Sequence, residues 1–117
     1  MLLSKRGGEL KIYQSHPYGR RRGLTDGECQ KNVDASLEIT REIIKKGHNP
    51  LNPLLWHYIH QGWHGSPDEE IYFHLVSAWI ADCDAFYYGG DADGVEREKK
   101  IAEALHKTIY YSIKDIP

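Results

Sequence analysis

Apolar residues along the chain fall into short runs that alternate with stretches of helical period. Leu10 to Gln14 carries Ile12 and Tyr13 and stops at Ser15-His-Pro-Tyr-Gly19, a segment of turn formers, so it reads as a strand. From about Cys29 to Lys46, Val33, Leu37 and Ile44 recur at helical spacing, and Gly47 after Lys45 and Lys46 has the chemistry of a helix stop. His48 to Trp56 is extended, and Pro50 and Pro53 restrict it to a short strand or strand-like edge. A second helix is expected near Ser66-Pro67, with serine as N-cap, proline at the first helical position and Asp68, Glu69 and Glu70 in the opening turn. Its body, Ile71 to Ala81, is apolar almost all round, more than one sheet face needs, and a subunit interface would use the surplus. Ala85 to Gly90 reads as a strand ending in a glycine turn, Val95 to Leu105 as a third helix, and Thr108 to Ile113 as a last strand.

Strands that alternate with helices in so short a chain form a parallel sheet, because parallel neighbours need crossover connections. The pattern predicts an α/β protein: a small flavodoxin-like three-layer sandwich, with a parallel sheet of about four strands and helices on both faces. Ligands in such sheets bind outside the carboxyl ends of the strands. Three segments converge there: the loop after the first strand (Ser15 to Arg22), the start of the second helix (Asp68 to His74) and the turn opening the third (Gly89 to Glu98). The region from Trp56 to Pro67, dense in His, Trp and Gly, reads as a loop that serves the site. Asp84 begins its strand at the opposite end of the sheet and is assigned a structural role.

Composition narrows the function classes. A chain of 117 residues is one domain, 1–117. Its formal net charge of -2, without a long block of one sign, argues against a nucleic-acid binder. The basic run Arg20-Arg21-Arg22 is either a solvated loop or a local anion site. Cys29 and Cys83 are lone thiols, as suits a reducing compartment, and no apolar run is long enough for a signal peptide or a membrane span. A cytoplasmic protein with no membrane partner is expected. His57, His60 and His64 have spacings that would align metal ligands on a helix, but Gly62 and Trp63 interrupt it and no carboxylate is interleaved, so neither a metal nor a cofactor is expected. No glycine-rich run ends in Lys-Ser or Lys-Thr.

The residue that stands out is Glu98. In Gly94-Val-Glu-Arg-Glu-Lys-Lys-Ile-Ala-Glu-Ala-Leu105, the residues Ile101, Ala102 and Leu105 share one helix face, and Glu98 occupies that face one turn earlier. Glu96, Arg97, Lys99, Lys100 and Glu103 point elsewhere. A capping box with Asp93 as N-cap would use Glu96 and leave Glu98 unexplained. The plain alternative is a glutamate bent outward to solvent. Near the helix start the dipole would keep a half-buried carboxylate ionised, and an ionised carboxylate facing a pocket is a candidate nucleophile.

The run Lys11-Ile-Tyr-Gln-Ser-His-Pro-Tyr-Gly19, Asn32 in the following helix, Gly47-His-Asn-Pro-Leu-Asn-Pro53, Cys83-Asp-Ala-Phe-Tyr-Tyr88 and the Gly94–Leu105 segment occur in this order. In this order and spacing the chain resembles the nucleoside 2-deoxyribosyltransferase-like proteins over nearly its whole length. In that family a glutamate attacks the anomeric carbon of a deoxyribonucleoside or its monophosphate and expels the base. Water or another base then resolves the glycosyl-enzyme. The resemblance places that nucleophile at Glu98, with Gly94 and Ala102 matching the pattern around it. It further implies that Tyr13 hydrogen-bonds the nucleophile and that Ser15, His16, Gly19 and Arg20 hold sugar or phosphate. Asp93 and Gly94, in the turn before the third helix, would complete substrate binding. Two positions depart from the pattern. The family serine before the glycine is Ala92, with Asp93 beside it repelling a phosphate, and the family aspartate that moves the base's proton falls on His74.

These expectations define N-glycosidic cleavage or base exchange on a small nucleoside or nucleotide. The alternative is a nucleotide-sensing module of the same fold without turnover. The resemblance also implies a homodimer or higher homo-oligomer.

Overall fold

The computed structural model describes residues 7–19, 23–65 and 69–117. Arg20, Arg21, Arg22, Ser66, Pro67 and Asp68, and with them the anion site and the helix start read from the sequence, lie outside the described residues. The chain order is β1 (Lys11–Ser15), α1 (Asp26–Lys45), β2 (Asn49–Leu51), a 3-10 turn (Pro53–Leu55), α2 (Trp56–His60), α3 (Glu69–Asp82), β3 (Ala85–Tyr88), α4 (Asp93–Ala104), β4 (Thr108–Tyr110) and a closing 3-10 turn (Ile113–Asp115). The four strands form one all-parallel sheet in the order β2-β1-β3-β4, the small flavodoxin-like arrangement expected. The order reverses between β1 and β3, so the crevice at their carboxyl ends is the ligand edge.

β1 is paired on both sides, and its alternation divides the protein into two half-cores. Ile12 packs with Ile43, Ala85, Tyr87 and Ile116 on the α1 face, whereas Tyr13 packs with Val76, Ile80, Cys83, Phe86 and Ala102 on the α3–α4 face. Tyr13 and Phe86, opposite each other across the β1–β3 ladder, stack with centroids 5.8 Å apart. At the other end of that ladder Asp84 accepts from the Lys11 backbone N–H at 2.7 Å, and its own N–H donates to the Lys11 carbonyl at 2.8 Å. This is a clamp at the amino edge, remote from the ligand edge.

Several elements differ locally from the sequence reading. α1 begins at Asp26, before Cys29, because Thr25 and Glu28 form a capping box. Trp56–His60, read as loop, is a helix: Asn52 caps the 3-10 turn through the Leu54 N–H, the turn leads directly into α2, and no breaker intervenes before Gly62. The N-cap of α4 is Ala92, not Asp93; Asp93 is the first helical residue, and Glu96 instead accepts from the Tyr88 hydroxyl. The last strand stops at Tyr110, and Ser112 caps the turn that follows. Ile71 and Leu75, part of the apolar surplus of α3, are exposed. No helix among the described residues is long and apolar enough to cross a membrane.

Asp84→Ala leaves the Lys11 N–H to water and is expected to cost about 0.5–1.5 kcal/mol in urea unfolding while leaving ligand-edge chemistry unchanged. Loss of activity at full stability would instead place Asp84 in the site.

Candidate functional site

A cavity of about 640 Å³ opens at the carboxyl ends of β1 and β3. Its floor is Tyr13 and Glu98. The β1–α1 loop supplies His16, Pro17, Tyr18 and Gly19, the start of α4 supplies Ala92, Asp93 and Gly94, and α2 and α3 supply an aromatic wall.

The alternation of β1 sends Tyr13 and Ser15, two residues apart, toward α4. There the Tyr13 hydroxyl donates to Glu98 Oε1 at 3.0 Å and the Ser15 hydroxyl donates to the same oxygen at 2.8 Å. Glu98 is the sixth residue of α4, past the first turn where the helix dipole is felt. Hydrogen bonds therefore do the work expected of the dipole. Burial pushes the Glu98 carboxyl above its usual value, while the donations from Ser15 and Tyr13, and to a smaller degree the Arg97 charge, pull it back. Burial, then the Glu98 charge and the hydrogen bond to it, raise the Tyr13 phenol well above its ordinary value, so it stays a donor. With Oε1 engaged by two hydroxyls, Oε2 is the oxygen left for chemistry.

The remaining expected residues are distributed unevenly. His16, Gly19, Asp93 and Gly94 line the cavity with Tyr13 and Glu98. Ser15 does not: it is 2 % exposed and sits beneath Glu98, holding the carboxylate and not a ligand. His74 is exposed on α3 and contributes nothing to the cavity, because the inward face of that helix is formed by Tyr72, Phe73 and Val76. Arg20 lies outside the described residues. Burial lowers His16 to about 4, which keeps its ring neutral at physiological pH. Gly19, at φ +107°, turns the loop back so tightly that a Cβ there would stand 2.1 Å from Leu24 Cδ1.

The aromatic wall was signalled only by residue density between Trp56 and His64. Trp56 packs against Trp79 and Tyr72 at 4.7 and 5.1 Å between centroids, and His60 meets Tyr72 edge-on at 4.9 Å and stacks on Trp63 at 6.2 Å. Arg97 lies over Phe73 with its guanidinium carbon 3.7 Å from the ring centroid. Behind the wall, Gln30 Nε2 donates to the Asp34 carboxylate at 2.9 Å, which turns Gln30 Oε1 toward His57 Nε2, also at 2.9 Å. That oxygen can only accept, so His57 Nε2 carries its proton toward Gln30, and His57 Nδ1 is hydrogen-bonded to the Tyr18 hydroxyl at 2.6 Å. His57 thus anchors Tyr18, and among the described residues no group of three or more His, Cys, Asp or Glu side chains is placed to hold a metal ion.

The site is a buried carboxylate with one oxygen fixed by two hydroxyls, facing an aromatic-lined cavity large enough for a small planar ligand with a polar appendage. No protein-family model matches the chain, and no curated protein matches it.

Because the folded-state value of Glu98 is raised, the native protein binds more protons than the unfolded chain between the two values. Its contribution is favourable below the unfolded value and is lost as pH rises through the folded one. Glu98→Gln keeps an Oε1 acceptor for Tyr13 and Ser15 without the buried charge. It is expected to be more stable than wild type at pH 7, on the order of 1 kcal/mol, with the gain vanishing in acid. Urea unfolding across pH reads this; equal stability at every pH would mean that the carboxylate is solvated.

Proposed function

We propose that the protein cleaves or exchanges the N-glycosidic bond of a nucleoside or nucleotide, with Glu98 as nucleophile. The observation that carries this reading is the Glu98 carboxylate, largely buried at the cavity floor and held at one oxygen by Tyr13 and Ser15. Desolvation of an ionised carboxylate costs several kcal/mol, and a chain gains from that only if the charge is used. Oε2 attacks the anomeric carbon as the C–N bond to the base breaks, and the base leaves with the bonding electrons and takes a proton. The resulting glycosyl ester is resolved by water or by a second base. The two donors on Oε1 disperse the charge that returns when the ester is cleaved, as carboxylate partners do in retaining glycosidases.

The aromatic wall suits a flat base, and the start of α4, with Gly94 in its first turn, suits the sugar end of the ligand. Of the two wall histidines that line the cavity, His57 is held by Gln30 and Tyr18, whereas His60 meets the Tyr72 hydroxyl at 3.3 Å. We assign it the proton transfer to the base that the resemblance had placed at position 74. The order of motifs along the chain supports membership of the nucleoside 2-deoxyribosyltransferase-like proteins, the free thiols Cys29 and Cys83 support a cytoplasmic location, and the exposed Ile71 and Leu75 support a homo-oligomer built on α3. One observation favours the nucleotide-sensing alternative: the family's helix-borne acid is replaced by an exposed histidine.

Chromatography of a panel of deoxynucleosides and their monophosphates, with and without a second free base, separates the two. Base release or exchange is expected from wild type and is expected to fall at least about a thousandfold in Glu98→Ala. Nucleotides that stabilise the fold thermally yet are returned unchanged would establish the sensing module.

His60→Gln is expected to lower turnover about a hundredfold, whereas His74→Gln stays within about twofold of wild type. The reverse order would return the acid to α3.

A further inference from the structure

On the opposite face of the sheet from Glu98, between α1 and the carboxyl ends of β1 and β3, lies a smaller cavity of about 310 Å³. His16 and Pro17 are a wall shared with the Glu98 cavity, and the rest of the lining, chiefly Asn32, Ala35, Tyr87 and Gly89, is not used by the proposed glycosidic chemistry. Its polar groups have defined orientations. Gln14, fully buried, donates from Nε2 to the Ser36 carbonyl at 3.4 Å, and its Oε1 accepts from the Thr40 hydroxyl at 2.8 Å. The carbonyl can only accept, so the amide orientation is fixed, and the same Nε2 donates to His16 Nε2 at 2.9 Å. An accepting Nε2 makes His16 the Nδ1–H tautomer.

That Nδ1 is pressed against Gly89, where a Cβ would stand 2.2 Å from it, and no hydrogen-bond partner for it is present among the described residues. Tyr87 is 6 % exposed, its ring lies 5.8 Å from that of His16, and its hydroxyl likewise has no partner among the described residues. Asn32 spends its Nδ2 on the Tyr18 carbonyl at 2.8 Å and retains Oδ1. The cavity therefore holds two donors, one acceptor and apolar walls from Pro17, Ala35 and Ile39.

None of the lining side chains carries a charge at neutral pH, His16 included, since burial lowers it to about 4. An ion entering would lose hydration without a counter-charge, whereas an uncharged molecule with matching polar groups exchanges water for these donors and this acceptor at little net cost. We propose that this crevice binds a small uncharged molecule with an amide or lactam edge, its carbonyl accepting from His16 Nδ1 and the Tyr87 hydroxyl and its N–H donating to Asn32 Oδ1. The proposal stands independently of the activity assigned to Glu98.

The test is an amide-resolved NMR titration of the full chain with 2-pyridone as probe, and acetate and methylammonium as charged controls. Saturable shifts centred on Gly89, Ala35 and the Asn32 side-chain amide are expected with 2-pyridone only. Tyr87→Phe keeps the ring and should weaken binding about fivefold, and Ala35→Leu, which fills the space from α1, should abolish it. A wild-type-like amide spectrum in Tyr87→Phe establishes that its loss is local. The proposal is overturned by the absence of saturable shifts up to about 10 mM, where a millimolar site would be filled. It is equally overturned by shifts confined to the Trp56–Glu98 cavity, by acetate binding as well as 2-pyridone, or by unchanged affinity in both variants.

Discussion

The two-residue period of β1 is the constraint on which the molecule depends. As a central strand with a parallel neighbour on each side, β1 has no solvent face, and every residue from Ile12 to Ser15 is buried. Ile12 and Gln14 look toward α1, and Tyr13 and Ser15 toward α3 and α4. Each face therefore receives one large packing residue and one hydrogen-bonding residue. On one face the polar pair meets Glu98. On the other, Gln14 ties β1 to α1 through Ser36 and Thr40, and Asn52 joins the same network, donating to the Ser36 and Thr40 hydroxyls.

Both polar clusters are buried in a chain of modest size, and they are tolerable for different reasons. The Gln14 cluster is uncharged and mutually satisfied, so its members exchange water for one another at little net cost. The Glu98 cluster contains a charge whose burial outweighs the two hydroxyls that face it, which is why its carboxyl titrates high. A protein selected for stability alone would place an apolar side chain there, in line with Ile101, Ala102 and Leu105. The contrast between the two faces separates a cluster that organises the fold from one that the fold carries at a cost.

Much of this was legible in the residue pattern. Helical and strand periods gave the four parallel strands and three long helices, and the stripe position of Glu98 gave the carboxylate at the ligand edge. The pattern was less informative where chemistry depends on which side of an element a residue takes. His74 matched a family position by spacing but rides the outer face of α3, and Ser15 points at the carboxylate from below. α2 was hidden because His and aromatic density between Pro53 and Gly62 resembles a binding loop. The Thr25–Glu28 capping box could have been read directly, since threonine followed three residues later by glutamate is a local signature. The His16 tautomer follows from Gln14, two residues away, but that amide is itself oriented by Ser36 on α1, and the partners of His57 are Gln30 and Tyr18 on other elements, so neither arrangement had a local signal.

The placement of both hydroxyls on one strand has a consequence for how such a chain can diverge. A slip of one residue in β1 would exchange its two faces, turning Gln14 toward Glu98 and Tyr13 toward α1. Loops on either side can lengthen or shorten without altering that assignment, whereas an insertion within the strand would reassign the Glu98 side and the Gln14 side together. Loop length and the aromatic wall can therefore change without moving the two hydroxyls off Glu98, whereas the parity of β1 cannot.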